Sequence, residues 1–321
     1  MKINKERIKM ALDRLIEKIE QTQNPTVAGL DPKLDYVPEY IKRKCFEKYG
    51  ETLKGAAKAL FEFNKALIDA LYDIVPAVKP QAAYYEMYGV QGVKTLYKTQ
   101  EYARSKGMYV ITDGKRNDIG TTMEAYAAAH LGKVKVGSEE YEPFLGDALT
   151  VNGYLGSDGI KPLIKVCQDN DKGIFVLVKT SNPSSGELQD KKIDGVPVYE
   201  LMGKMCEEWG KELPGVYGYS GVGIVAGATY PEQIKRLREL LPHTFFLIPG
   251  YGAQGATAKD IVGAFDENGL GGIVNSSRGI MCAYQKQKCD EHEFAEAARR
   301  EAIRMRDEIM GEVGKIQISK N

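Results

Sequence analysis

Apolar residues recur along this chain in two rhythms. Ile8, Leu12, Leu15 and Ile19 repeat at helical spacing and predict an amphipathic helix over 4–20. Leu60, Phe63, Leu67 and Leu71 predict a second over 51–72. Further helices are expected over 87–105, 157–169, 197–212, 257–268 and 291–310, and Pro231 opens another. Between them lie short apolar runs at 27–30, 75–78, 108–112, 148–151, 173–178, 222–225, 245–248 and 272–274. These runs are nearly continuous rather than alternating, which suits strands buried on both faces. Strand–helix alternation implies a parallel sheet. Eight such units in 321 residues favour a closed (β/α)8 (TIM) barrel with an N-terminal helix and extended loops, one domain over 1–321. An open, doubly wound sheet is the competing architecture.

A barrel gathers the C-terminal ends of its strands at one rim. Here those ends carry Asp31, Lys79, Asp113 with Lys115, Lys179 or Ser181, Thr229, Pro249 and Asn275. The first three strands thus deliver four charges of alternating sign to one place. A salt-bridge ring closing the barrel would look the same; so would a site for acid–base chemistry. Asp113 and Lys115 are two apart, so extended backbone would point both to one face, while Asp118 lies beyond a turn. A lysine flanked by carboxylates stays protonated and can donate a proton, and a carboxylate there can repel a second one on a substrate.

Composition narrows the field. Lys plus Arg and Asp plus Glu number 44 each, which argues against a nucleic-acid or membrane surface built on overall basicity. The five cysteines form no C-x-x-C pair, and His130, His243 and His292 lack metal-ligand spacing. No apolar run is long enough to span a bilayer, and the charged start MKINKERIKM lacks the apolar core of a signal peptide. A reducing cytoplasm is the expected setting. Gly250-Tyr-Gly-Ala-Gln-Gly255 spells G-x-G-x-x-G, but after the seventh strand rather than the first, and the next strand ends in Asn275 rather than an acid. It reads better as an anion-binding loop, because phosphate commonly sits after strands seven and eight of barrels. Arg278 beside it offers a fixed fork of donors for a phosphate, although a surface ion pair would use the same residue.

These residues resemble a known family. Asp113-Gly-Lys115-Arg-Asn-Asp118 fits D-x-K-x-x-D, the signature of orotidine 5′-phosphate decarboxylases, and Ile119 and Thr122 fit beside it. Leu30-Asp31, Lys79, Thr180-Ser-Asn-Pro183, Pro249 to Gly255 and Asn275-Ser-Ser-Arg-Gly279 match in order on successive strands. The stretch 147–159 is similar to the longer-chain bacterial subgroup, with Gly153 where proline is expected. The resemblance implies cofactor- and metal-free decarboxylation of orotidine 5′-monophosphate to uridine 5′-monophosphate, in pyrimidine synthesis. It implies Lys115 as proton donor to C6, Asp113 against the substrate carboxylate, and Lys79 bridging the charges and the ribose. It implies Asp31 on the ribose, Ser181 on the pyrimidine, Gln254 and Arg278 at the phosphate, and Gly279 among the substrate-binding residues. It further implies a homodimer with shared sites, in which Asp118 and Thr122 act in the partner's site. Related barrels that decarboxylate or condense sugar phosphates share D-x-K-x-x-D but hold magnesium with an acid at the end of strand two. This chain has Lys79 there. A catalytically silent phosphate-binding barrel is the remaining alternative.

Overall fold

The computed structural model describes residues 11–252 and 255–318. Eight parallel strands close into a barrel: β1 (Thr26–Leu30), β2 (Ala77–Pro80), β3 (Tyr109–Arg116), β4 (Ala148–Val151), β5 (Gly173–Lys179), β6 (Val222–Ala226), β7 (Phe246–Ile248) and β8 (Gly272–Ser276). Each pairs with its sequence neighbours, and β1 pairs with β8 to close the ring. The open doubly wound sheet is therefore excluded. Every barrel strand falls on a predicted apolar run, because burial on both faces removes polar residues from the whole segment.

Alternation along the strands sorts side chains into two layers. Val27, Ala77, Tyr109, Ile111, Ala148, Phe175 and Val225 point inward, while Ala28, Val78, Val110 and Leu149 face the surrounding helices. The helix Ala11–Thr22 sends Leu12, Leu15, Ile16 and Ile19 into the same cluster as the inward residues, so it plugs the bottom of the barrel. Residues 4–10 of the predicted N-terminal helix lie outside the described residues. Continuing the inward series up each strand brings Lys79, Asp113, Thr150 and Asn275 to the top. The core pattern itself thus selects the residues of the mouth.

Several elements depart from expectation. The helix Glu39–Tyr49 is absent from the predicted set, because only Ile41 and Cys45 of its charged sequence are buried. The helix Gly120–Leu131 is equally inconspicuous: alanines occupy both its buried and its exposed positions. The helix expected over 257–268 is only Ala258–Ile261, followed by a 3-10 turn Val262–Ala264. Two small hairpins, Val134–Val136 with Glu139–Tyr141 and Lys192–Ile193 with Val196–Pro197, extend the loops. Among the described residues, no helix is long and apolar enough to cross a membrane.

Candidate active site

Lys79 and Asp113 end the inward series of adjacent strands, which places them side by side. Lys79 Nζ donates to Asp113 Oδ2 at 2.7 Å, and Lys115 Nζ donates to Asp113 Oδ1 at 2.6 Å. The pairing of Asp113 and Lys115 was expected; its geometry differs. Lys115 is not in extended backbone but has φ 48°, in a stretch where the β3–β4 register slips. The two side chains meet because the strand bulges, not because residues two apart share a face.

The electrostatics follow from this packing. Burial would push the Asp113 carboxyl up, but Lys79 and Lys115 outweigh it and hold the group well below the usual carboxylate range. Burial would likewise strip the Lys79 proton, yet Asp113 and then Asp31 hold its ammonium above the usual lysine range. The Lys79 and Asp113 side chains are 5% and 9% exposed, whereas Lys115 is 46% exposed and faces open space. The centre is a carboxylate fixed between two ammonium groups, one of them free to reach a ligand.

Two cavities meet at this centre and share Lys79, Asp113, Lys115 and Pro249 in their walls. One, of about 490 Å³, runs between Asp31, Asn275 and Arg278. The other, of about 470 Å³, runs under Thr180, Ser181, Asn182 and Gln189 and has Thr150 in its wall. Oδ1 atoms of Asp31 and Asn275 are buried with no partner among the described residues, leaving two acceptors for ligand hydroxyl groups. Arg278 opens a short helix after β8, and its guanidinium has no hydrogen bond or ion pair among the described residues. Gly279 lines an adjoining cavity with Ser276, Arg278 and Tyr251. Ser181 is brought over the second cavity by Gly227: a Cβ there would lie 2.8 Å from the Ser181 backbone nitrogen.

Some expected residues are elsewhere. Asp118 sits at the start of the helix Gly120–Leu131 and accepts from Ile119 N–H at 2.8 Å; Thr122 is exposed on its first turn. Neither lines either of these two cavities. Gln254 lies outside the described residues. Lys179, offered as a strand-end alternative to Ser181, is spent on its loop: its buried ammonium reaches Asp190 at 2.7 Å and lies 4.2 Å from the Tyr230 ring centre. Arg116 pairs with Glu86 and donates to Gly114 O at 2.9 Å. At Gly153 a Cβ would lie 2.6 Å from Met202 Sδ, so a larger residue there would require the flexible Met202 side chain to shift. Asn182 and Thr150 lie in the matching stretches 180–183 and 147–159 but are not singled out there as site residues, and Gln189 is an ordinary polar loop residue outside them. Among the described residues, no three metal-binding side chains cluster.

A (β/α)8 barrel with a lysine–carboxylate–lysine centre at its mouth and an unpaired arginine after strand eight defines a class: barrel enzymes acting on small anionic substrates. The sequence profile described as "Orotidine 5′-phosphate decarboxylase / HUMPS family" matches residues 50–289, and the chain belongs to this family. It is 44% identical over 273 residues to the orotidine 5′-phosphate decarboxylase of Caldicellulosiruptor bescii, covering 85% of this chain and 90% of that one. The fold matches Leishmania donovani OMP decarboxylase with a TM-score of 0.69 at 28% identity, covering 93% of this chain and 99% of that one. It also matches UMP synthase of Leishmania donovani with a TM-score of 0.71 at 29% identity, covering 93% of this chain but only 57% of that longer one.

Proposed function

We propose that this chain decarboxylates orotidine 5′-monophosphate to uridine 5′-monophosphate and carbon dioxide, without a cofactor. Family membership supplies the substrate. The observation that carries the chemistry is the Lys79–Asp113–Lys115 centre. The substrate's C6 carboxylate lies against Asp113, where like charges disfavour the bound ground state. The C6–carboxylate bond breaks, its electron pair stays on C6, and carbon dioxide leaves. Lys115 Nζ stabilises the developing carbanion and then gives C6 a proton, recovering its own from solvent. The fixed charges need little reorganisation as the reaction proceeds, which is where preorganised sites gain most.

Lys79 joins Asp31 on the ribose side. Ser181 covers the pyrimidine, and Arg278, Gly279 and Gln254 hold the phosphate. Binding at that remote end organises loops over the reacting ring and excludes water there. Lys79 also argues against a magnesium-dependent relative, because its ammonium stands where a divalent cation would need a carboxylate.

Asp118 and Thr122 of the partner subunit complete each site of a homodimer. Exposed Ile119, Tyr126, Tyr154 and Leu155, on the segments that carry or adjoin Asp118, support this. Leu155 and Asp118 both border Gly159, and the Arg116 guanidinium lies 6.0 Å from the Tyr126 ring centre. Exposed apolar side chains beside Asp118 favour burial against a second copy.

Two experiments test these assignments. Lys115→Ala should lower kcat for orotidine 5′-monophosphate by at least about 10⁴-fold, since it loses both charge and proton donor. A substantially active variant with an intact fold would remove Lys115 as the donor. Mixed dimers of Lys115→Ala and Asp118→Ala chains should each regain one complete site. Verified mixed dimers that stay inactive would refute site sharing.

A further inference from the structure

The backbone around Lys115 is unusual. Thr112 pairs with Leu149 and Arg116 with Val151, so Asp113, Gly114 and Lys115 all stand opposite Thr150 alone. Within this bulge Lys115 takes φ 48°, a conformation that costs a side-chain-bearing residue energy unless its surroundings hold it there.

We propose that Thr150 is the positioning residue that holds this bulge and aims both charged side chains. Its hydroxyl accepts from Lys115 N–H at 3.0 Å and donates to Asp113 Oδ1 at 2.8 Å. The same Asp113 oxygen accepts from Lys115 Nζ at 2.6 Å. Backbone amide, hydroxyl, carboxylate and ammonium therefore close a ring that begins and ends on Lys115. A hydroxyl has one proton. Committing it to Asp113 turns a lone pair toward Lys115 N–H, so the ring has one sense and one geometry. Thr150 is 1% exposed, so its hydroxyl is committed to these two partners.

Thr150 is set in its place by the barrel. Ala148 faces inward two residues earlier, and strand alternation returns Thr150 to the same side at the cavity wall. Leu149 and Val151, on either side, pack outward into the core. The hydroxyl is thus carried on a rigid strand, which holds reacting groups more closely than a loop would. It bonds the Asp113 carboxylate and the Lys115 backbone amide and lines the cavity away from Arg278, so its effect falls on the chemical step rather than on phosphate binding.

The inference rests on the decarboxylase reading, and its test separates the two. Thr150→Val keeps the shape and removes both hydrogen bonds; Thr150→Ser keeps the hydroxyl. With orotidine 5′-monophosphate, Thr150→Val should lose roughly 10- to 100-fold in kcat, the scale of a misplaced catalytic group, with KM and uridine 5′-monophosphate affinity within about threefold of wild type. Thr150→Ser should restore most of kcat. Wild-type kcat in Thr150→Val, or an equal loss in Thr150→Ser, would overturn the proposal. Should the valine variant fail to fold, Thr150→Ala takes its place with the same expectations. A wild-type protein that leaves orotidine 5′-monophosphate unchanged would fail the decarboxylase reading instead. The positioning claim is then judged by crystal structures of the same variants. Lys115 should leave positive φ in Thr150→Val and keep it in Thr150→Ser; an unchanged bulge in Thr150→Val would refute it.

Discussion

At the Lys115 end of the cavity, charges are paired within the chain; at the Arg278 end, the groups that would meet a ligand are unpaired. Asp113 is held between two ammonium groups at 2.7 and 2.6 Å. The Arg278 guanidinium has no partner among the described residues, and Asp31 and Asn275 each keep a buried oxygen without one. The difference follows from what each end must do. A reacting centre gains from groups already oriented, because reorientation during the reaction costs rate. A binding end gains from groups whose partners arrive with the substrate, because any internal pairing would have to be broken first.

Substitution at the two ends should therefore give opposite signatures. Asp113→Ala removes the hydrogen-bonded partner of the buried Lys79 ammonium and leaves only Asp31 to offset it, and should destabilise the fold by about 3–5 kcal/mol in denaturant unfolding. Arg278→Gln should change stability by no more than about 0.5 kcal/mol, as a surface change away from packing. It should instead raise KM roughly 10- to 100-fold through lost charge-assisted bonds to phosphate. A stable Asp113→Ala or an unfolded Arg278→Gln would break the contrast.

A smaller effect separates the reacting end from the rest of the barrel. Asp113 is held below the usual carboxylate range, so its contribution is complete above the unfolded value of about 3.9 and is lost only as pH falls further. Lys79 is held above the usual lysine range, so its contribution is complete below the unfolded value of about 10.4 and is lost as pH rises through the folded value. His130 behaves differently. It is stacked on Phe144, and burial first, then Arg116, lowers it to about 4. Its neutral form favours folding above the unfolded value of about 6.5, and that contribution, up to about 3 kcal/mol, is lost progressively as pH falls toward 4. His130→Phe should flatten the stability profile between those pH values without touching the reacting end. An unchanged slope would assign the acid sensitivity elsewhere.

Much of this arrangement is legible in the order of the residues alone. Strands buried on both faces announce themselves as apolar runs, and their ends supply Asp31, Lys79 and Asp113 to one rim. Lys115 is placed correctly but for the wrong reason, since a bulge with positive φ replaces the extended backbone that simple alternation assumes. Thr150 is hidden because a β-branched residue in a strand looks like packing until its hydroxyl partners are seen. Lys179 shows the converse: a charge at a strand end that serves a loop and not the centre. The helix Gly120–Leu131 escapes because small residues on both faces leave no apolar stripe to read.

The most direct test of the central claim is turnover of orotidine 5′-monophosphate by the purified wild-type chain, followed by absorbance with and without a strong chelator. The account predicts conversion to uridine 5′-monophosphate and carbon dioxide in equal amounts, at a rate the chelator leaves unchanged. No conversion, or conversion that the chelator abolishes and magnesium restores, would contradict it.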